Sequence, residues 1–239
     1  MNTWFQFKKF IIHQEKSAMK VCTDACLFGA WVAKKLEENK IKADSILDIG
    51  CGTGLLSLMI AQKSPAKIDA VEIDKNAFEQ AKENIQLSEW NQRINILHNS
   101  IINYNSPKKY DLIICNPPFY EKQLKSNNDI RNKAMHATTL SYLELIIAIK
   151  NNLARSGCAA ILLPYSSMKK FEEVLLKEKL FIYEKLIFAH SPEHPFFRSM
   201  ILISEMKKDT SKFSLSIKNS GGEYSKDFKE YLKDYYLLF

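Results

Sequence analysis

Residues 48–54 read Asp-Ile-Gly-Cys-Gly-Thr-Gly, and no other stretch of this chain restricts its folding so tightly. The apolar run Ser45–Ile49 leads into it, and Leu55–Gln62 leaves it with helical spacing. Alternate glycines let the backbone turn sharply and let a ligand approach without meeting a Cβ. The helix beyond offers unpaired N–H groups to a carboxylate, and Asp48 adds a negative charge suited to an ammonium group. Alone, such a glycine trio is equally a plain tight turn between strand and helix, so its surroundings decide its meaning.

Those surroundings alternate. Strand-like runs at Ser45–Ile49, Lys67–Ile73, Ile94–His98, Tyr110–Cys115 and Cys158–Leu163 are separated by helical patterns at Leu55–Gln62, Asn76–Leu87 and Thr139–Leu153. This is the signature of a largely parallel α/β sheet with helices on both faces. In the last helix, Leu140, Leu143, Ile146, Ile147 and Leu153 form one core-facing stripe by spacing. After a further helix at Ser167–Lys177, the runs Phe181–Phe188 and Met200–Ser204 predict an antiparallel pair closing a seven-stranded sheet. We read one domain: residues 45–206 form its body, with an N-terminal extension (1–44) packed on it and a C-terminal extension (207–239). The latter contains a short strand candidate, Phe213–Ile217.

Glu72 ends the second strand-like run, in Val71-Glu72-Ile73-Asp74. A carboxylate at that place can accept both ribose hydroxyls of a nucleoside, as in doubly wound nucleotide-binding folds. Asp74 lies past the strand end and is better placed to start the next helix.

The fourth run ends in Asn116-Pro117-Pro118-Phe119-Tyr120. The amine of adenine or of a carboxamide is a poor nucleophile because its lone pair is delocalised. Two oxygens accepting its two N–H bonds would draw it toward a tetrahedral, nucleophilic geometry. The Asn116 side chain supplies one oxygen and the Pro117 carbonyl the other. Consecutive prolines fix φ and donate no hydrogen bonds, which leaves those carbonyls rigid and free of sheet pairing. Phe119 offers a ring on which a flat substrate stacks, worth about 1–3 kcal/mol for a base. Such a segment beside the glycine-rich turn falls where open α/β sheets bind ligands.

Composition narrows the classes. No apolar run approaches the roughly 18 residues of a membrane span, and the N-terminus lacks the pattern of a signal peptide, so the cytosol is expected. The five cysteines are odd in number and scattered, against a disulfide framework, and Cys22 and Cys26 lack a second Cys/His pair, against a metal site. A net charge of +7 favours a polyanionic partner. No basis for oligomerisation is visible, and a monomer is the default expectation.

Asp-x-Gly-x-Gly-x-Gly with Glu72 resembles the S-adenosylmethionine motif of class I methyltransferases, which implies a Rossmann-like fold and that cofactor. Asn-Pro-Pro-Phe resembles the catalytic motif of N6-adenine and glutamine-N5 methyltransferases, which implies in-line transfer without a covalent enzyme intermediate. Cys115, though adjacent, is then a strand residue. Further segments extend the resemblance over nearly the whole chain. These are Phe5–Phe10, Ala18–Asp24, Leu27–Trp31, Ala134-Met135-His136, Leu163-Pro164, Arg198, Gly222–Ser225 and Asp234–Leu237. They are similar to the tRNA1(Val) adenine-37 N6-methyltransferase family.

That resemblance implies tRNA as substrate. It puts Asp48, Gly50, Gly52, Gly54, Glu72, Ser100, Thr23 and Asn116 at the cofactor. Lys20, Phe119, Tyr120 and His136 fall on the substrate side, and Asn116, Pro117 and Phe119 carry the chemistry. The sequence departs from the family pattern at Ser100, where an acidic residue usually contacts the cofactor adenine, and at Met135, where an arginine precedes the histidine. Two alternatives stand beside it: a glutamine-N5 methyltransferase of release factors, and a non-catalytic RNA-binding protein on the same scaffold. Release-factor enzymes usually carry a separate N-terminal helical domain, for which residues 1–44 are short.

Overall fold

A computed structural model of the chain describes residues 2–117 and 140–239. A hairpin comes first, β1 (Trp4–Gln6) against β2 (Ile11–His13), then α1 (Thr23–Glu37). The body follows as β3 (Ser45–Ile49), α2 (Leu55–Ala61), β4 (Lys67–Glu72), α3 (Lys75–Gln86), β5 (Ile94–His98) and β6 (Tyr110–Cys115). Beyond it lie α4 (Tyr142–Asn152), β7 (Leu153–Pro164), α5 (Met168–Lys177), β8 (Phe181–Ala189), β9 (Phe196–Ser204), β10 (Ser211–Ser216) and α6 (Lys226–Leu232).

The sheet order is β10-β8-β9-β7-β6-β3-β4-β5, and β9 alone runs against its neighbours. The expected seven strands are therefore joined by an eighth. Ser211–Ser216 pairs in parallel with Glu184–Ala189 and becomes the edge. Its polar sequence, with Leu215 buried and Phe213 exposed, is that of a strand covered on one face only.

Both faces of the central strands are buried, which explains their near-continuous apolar sequences. Ile46, Ile68, Leu112, Ile114 and Leu162 pack on one face against α1, α2 and α6, together with Phe7, Phe10 and Ile12 of the hairpin region. Leu47, Ile49, Ile113, Ile161 and Leu163 pack on the other against α4 and α5. The two ends of the chain meet: the Lys8 ammonium donates to the carbonyls of Lys233 and Phe239, each at 2.6 Å.

The core-facing stripe of α4 differs from the one its spacing suggested. Leu145, Ile146, Ala148 and Ile149 are buried, whereas Leu143 and Ile147 are exposed, and Leu153 already belongs to β7. Ser141 sets the start of the helix. Its hydroxyl caps the Glu144 amide while the Glu144 carboxylate accepts from the Ser141 amide, so the helix starts three residues later than expected.

Candidate active site

At the carboxyl ends of β3, β4 and β6 lies a cavity of about 400 Å³, within the range of small-molecule sites. It sits where the strand order switches direction, between β3 and β6.

The glycine-rich turn forms its floor. Gly50, Gly52 and Gly54 all have left-handed φ, +68°, +57° and +82°, where a Cβ is strained. A Cβ built at Gly50 or Gly52 meets nothing within 4 Å, so these positions face open space as well as requiring glycine. Both line the cavity. Gly54 does not: it starts α2, and its Cα faces Ala81 and Ile85 of α3, which a Cβ would touch at 3.6 Å. The turn is pinned by the Gly50 amide donating to the Val71 carbonyl at 2.8 Å.

Glu72 is the acidic wall. It is 7% exposed, and its two oxygens accept from the Gly52 and Asp74 amides, each at 2.8 Å. Asp74 caps α3 as anticipated, accepting from the Ala77 amide.

Asp48 differs from its expected role. It is fully buried and stands behind the cavity wall, where its Oδ2 accepts from the Ser57 hydroxyl at 2.7 Å and its Oδ1 has no hydrogen-bond partner. Burial pushes its carboxyl up to about 7, with the Glu72 charge adding to the rise and the Ser57 bonds opposing it. A carboxyl that titrates near neutrality is not a fixed charge.

Asn116 and Pro117 continue from the end of β6 and line the cavity. Cys115 before them is buried, and burial raises its thiol well above the ordinary range, which excludes a thiolate nucleophile. Ser100 lines the wall after β5, its hydroxyl accepting from the Ile102 amide at 3.3 Å. Lys20 lines the rim, with its ammonium donating to the carbonyls of Gln14 and Ser17. Thr23 opens α1 on the exposed surface and is not part of the cavity lining. Neighbouring Asp24 accepts from Arg198 Nε at 2.8 Å. Phe119, Tyr120 and His136 lie outside the described residues.

Sequence reasoning missed the buried amides that hold this site. Asn84 Nδ2 donates to the carbonyls of His13 and Thr53, and its Oδ1 accepts from the His13 amide, so α3 ties the hairpin to the glycine-rich turn. Gln80, one turn earlier, accepts from the Lys16 amide. Gln14 Oε1 accepts from the Val21 amide and orients the segment 17–22 along the cavity. Polar residues four apart on the buried stripe of a helix were the available signal for the first two.

Comparison with known proteins agrees with this geometry. Residues 29–152 match the methyltransferase small domain family. The chain is 40% identical, over its whole length and 99% of the relative, to the tRNA1(Val) (adenine(37)-N6)-methyltransferase of Dyadobacter fermentans. It is 38% identical, over 99% of its length and 98% of the relative, to the protein of the same name from Christiangramia forsetii. Among solved structures, a predicted O-methyltransferase from Agrobacterium tumefaciens shares the fold, with a TM-score of 0.69 and 15% identity over 88% of this chain and 96% of the other. An S-adenosylmethionine-dependent methyltransferase from Clostridium acetobutylicum does so with a TM-score of 0.54 and 16% identity, over 77% and 92% of the two chains. With full-length identity at this level and the glycine-rich turn, Glu72 and Asn116 on one cavity, the chain belongs to the tRNA1(Val) (adenine(37)-N6)-methyltransferase family of class I methyltransferases.

Proposed function

We propose that this protein transfers the methyl group of S-adenosylmethionine to the exocyclic N6 of an adenine, and that this adenine is position 37 of tRNA(Val). The observation that carries the reading is the convergence of Glu72, the open Gly50 and Gly52 backbone, and Asn116-Pro117 on one cavity.

The residues suit the cofactor. A carboxylate has about four lone-pair sites, of which Glu72 spends two on the Gly52 and Asp74 amides, leaving acceptors for ribose hydroxyls. Gly50 and Gly52 leave room for the ligand to approach the backbone. Ser100 can hydrogen-bond the adenine of the cofactor. Asp48 acts from behind, through the Ser57 bond that ties the strand end to α2. When bound, S-adenosylmethionine supplies an electrophilic methyl on a sulfonium sulfur.

Asn116 Oδ1 and the Pro117 carbonyl accept the two amine hydrogens of the target base and raise the nucleophilicity of its nitrogen. One N–H proton becomes acidic once the C–N bond forms, and it leaves to water. No enzyme nucleophile is used, consistent with the un-ionised Cys115. Phe119 provides stacking in this reading, with Tyr120, Lys20 and His136 toward the RNA, while Thr23, outside the cavity lining, is left without a cofactor role. An anticodon-loop adenine is already unpaired, which lowers the cost of presenting it to a pocket at a sheet edge.

The test is methyl transfer from labelled S-adenosylmethionine to tRNA(Val) transcripts. We expect labelling that disappears when the adenine 3′ of the anticodon is replaced by guanine. Labelling that persists would discard the site but keep the chemistry. Labelling of a release factor with its Gly-Gly-Gln loop, but not of tRNA, would replace this reading by the glutamine enzyme.

A further inference from the structure

Pro164 ends β7, and Tyr165 opens a single 3-10 turn over Tyr165–Ser167. Pro164 pairs with Arg198 across the ladder, which brings the start of β9 beside that turn. The rings of Tyr165 and Phe196 meet there, with centroids 5.7 Å apart and planes tilted by 49°. They are 42% and 39% exposed. Among the described residues Trp4 and Phe213 are also this exposed, but Tyr165 and Phe196 form a contacting pair on the carboxyl edge of the sheet that carries the cavity.

The start of β9 is held from its other face. Phe197 points away from Phe196 into a stack with His190 at 3.9 Å and 9°, and packs edge-on against Phe188. The Arg198 guanidinium lies 5.4 Å from the Phe197 ring centre, while its Nε donates to Asp24. Cys22 and Ala25, on either side of Asp24, line the cavity, so the Arg198–Asp24 pair ties the start of β9 to the cavity rim. By strand order, Tyr165 leaves the strand next to that of Asn116 and Phe196 the one after, lateral steps of about 5 and 10 Å.

We propose that Tyr165 and Phe196 form the surface on which the nucleotides flanking the target adenine stack. This rests on the reading above that the substrate is RNA. A loop base whose neighbour has been drawn into a pocket loses a stacking partner, and an aromatic ring supplies another on any base identity. The basic balance of the chain and the short lateral distance from Asn116 favour single-stranded RNA over a peptide.

The experiment uses the full chain and an anticodon stem–loop carrying 2-aminopurine next to the target adenine. Wild-type protein should quench its fluorescence. Tyr165→Ala/Phe196→Ala should abolish the quench and raise KM for RNA about tenfold or more, with kcat at saturating RNA and the salt dependence of binding kept. Tyr165→Phe should retain the quench, which separates lost stacking from a damaged fold. Full quenching by the double variant, or equal loss in Tyr165→Phe, overturns the proposal. So does ring-dependent binding of a Gly-Gly-Gln peptide without ring-dependent quenching. Methyl transfer by the wild type is read separately. Its absence alongside a ring-dependent quench sinks the proposed reaction and not the stacking surface.

Discussion

Glu72 Oε2 accepts the Gly52 amide at 2.8 Å, so the acid on the cavity wall also holds the glycine-rich turn in its left-handed conformation. Removing it acts twice. Glu72→Ala should weaken S-adenosylhomocysteine binding by about 1.5–3 kcal/mol, the worth of charge-assisted hydrogen bonds. It should also lower stability by about 1–2 kcal/mol, because two amides lose their acceptor. Calorimetry and thermal unfolding read the two effects, and unchanged cofactor affinity would falsify the ribose role.

In the proposed reaction Asn116 acts on the amine rather than on the cofactor. Asn116→Ala should lower kcat at least about 10²-fold while S-adenosylhomocysteine still binds, as expected for a preorganised group used in the transition state. Asn116→Asp is the finer probe, since it keeps an acceptor oxygen while changing its charge. Single-turnover rates near wild type in Asn116→Ala would mean that amine polarisation is not what this residue does.

Much of the site was legible because its parts are contiguous in sequence and each uses a residue with few substitutes. Gly50 and Gly52 need positive φ, Glu72 ends a strand, and Asn116-Pro117 ends another. The α/β alternation was equally open, since strands buried on both faces cannot disguise themselves. What stayed hidden depended on context or distance. The capping box at Ser141 starts α4 three residues later than its spacing suggested, and the strand candidate at Phe213–Ile217 gave no sign that it joins the main sheet as its edge. Asn84 and Gln80 work across more than sixty positions of sequence, which spacing alone does not reveal. For Asp48 the motif gave the residue type, but not the burial that leaves one oxygen unpartnered and raises its carboxyl.

The glycines of the turn have separable duties. Gly52→Ala and Gly54→Ala both place a Cβ at positive φ and should each cost about 1–2 kcal/mol of stability. Only Gly52 lines the cavity, so its methyl group also occupies ligand space. Cofactor affinity should therefore fall at least about tenfold in Gly52→Ala and stay near wild type in Gly54→Ala once the protein is folded. Equal losses in both variants would show that the turn acts only as a unit.

The buried Asp48 carboxyl makes folding depend on pH in the direction opposite to a paired surface acid. Below about pH 4 it is protonated in both the folded and the unfolded chain. Between that point and its folded value of about 7, the unfolded chain gives up the proton and the native chain keeps it. Stability therefore falls as pH rises through that window, and the penalty levels off above it. Asp48→Asn keeps the shape and an acceptor for the Ser57 hydroxyl but cannot ionise. Its amide hydrogens meet the same place that leaves Oδ1 unpartnered, a cost that does not vary with pH. The stability of Asp48→Asn relative to wild type should accordingly increase by about 1.4 kcal/mol per pH unit across the window and stay constant above it. Denaturant unfolding of both proteins between pH 4.5 and 8.5 measures the difference, in which titrating groups not coupled to Asp48 cancel. A gap that stays flat over that range would mean that Asp48 is ionised in the native protein and that Ser57 and the surrounding backbone stabilise its charge.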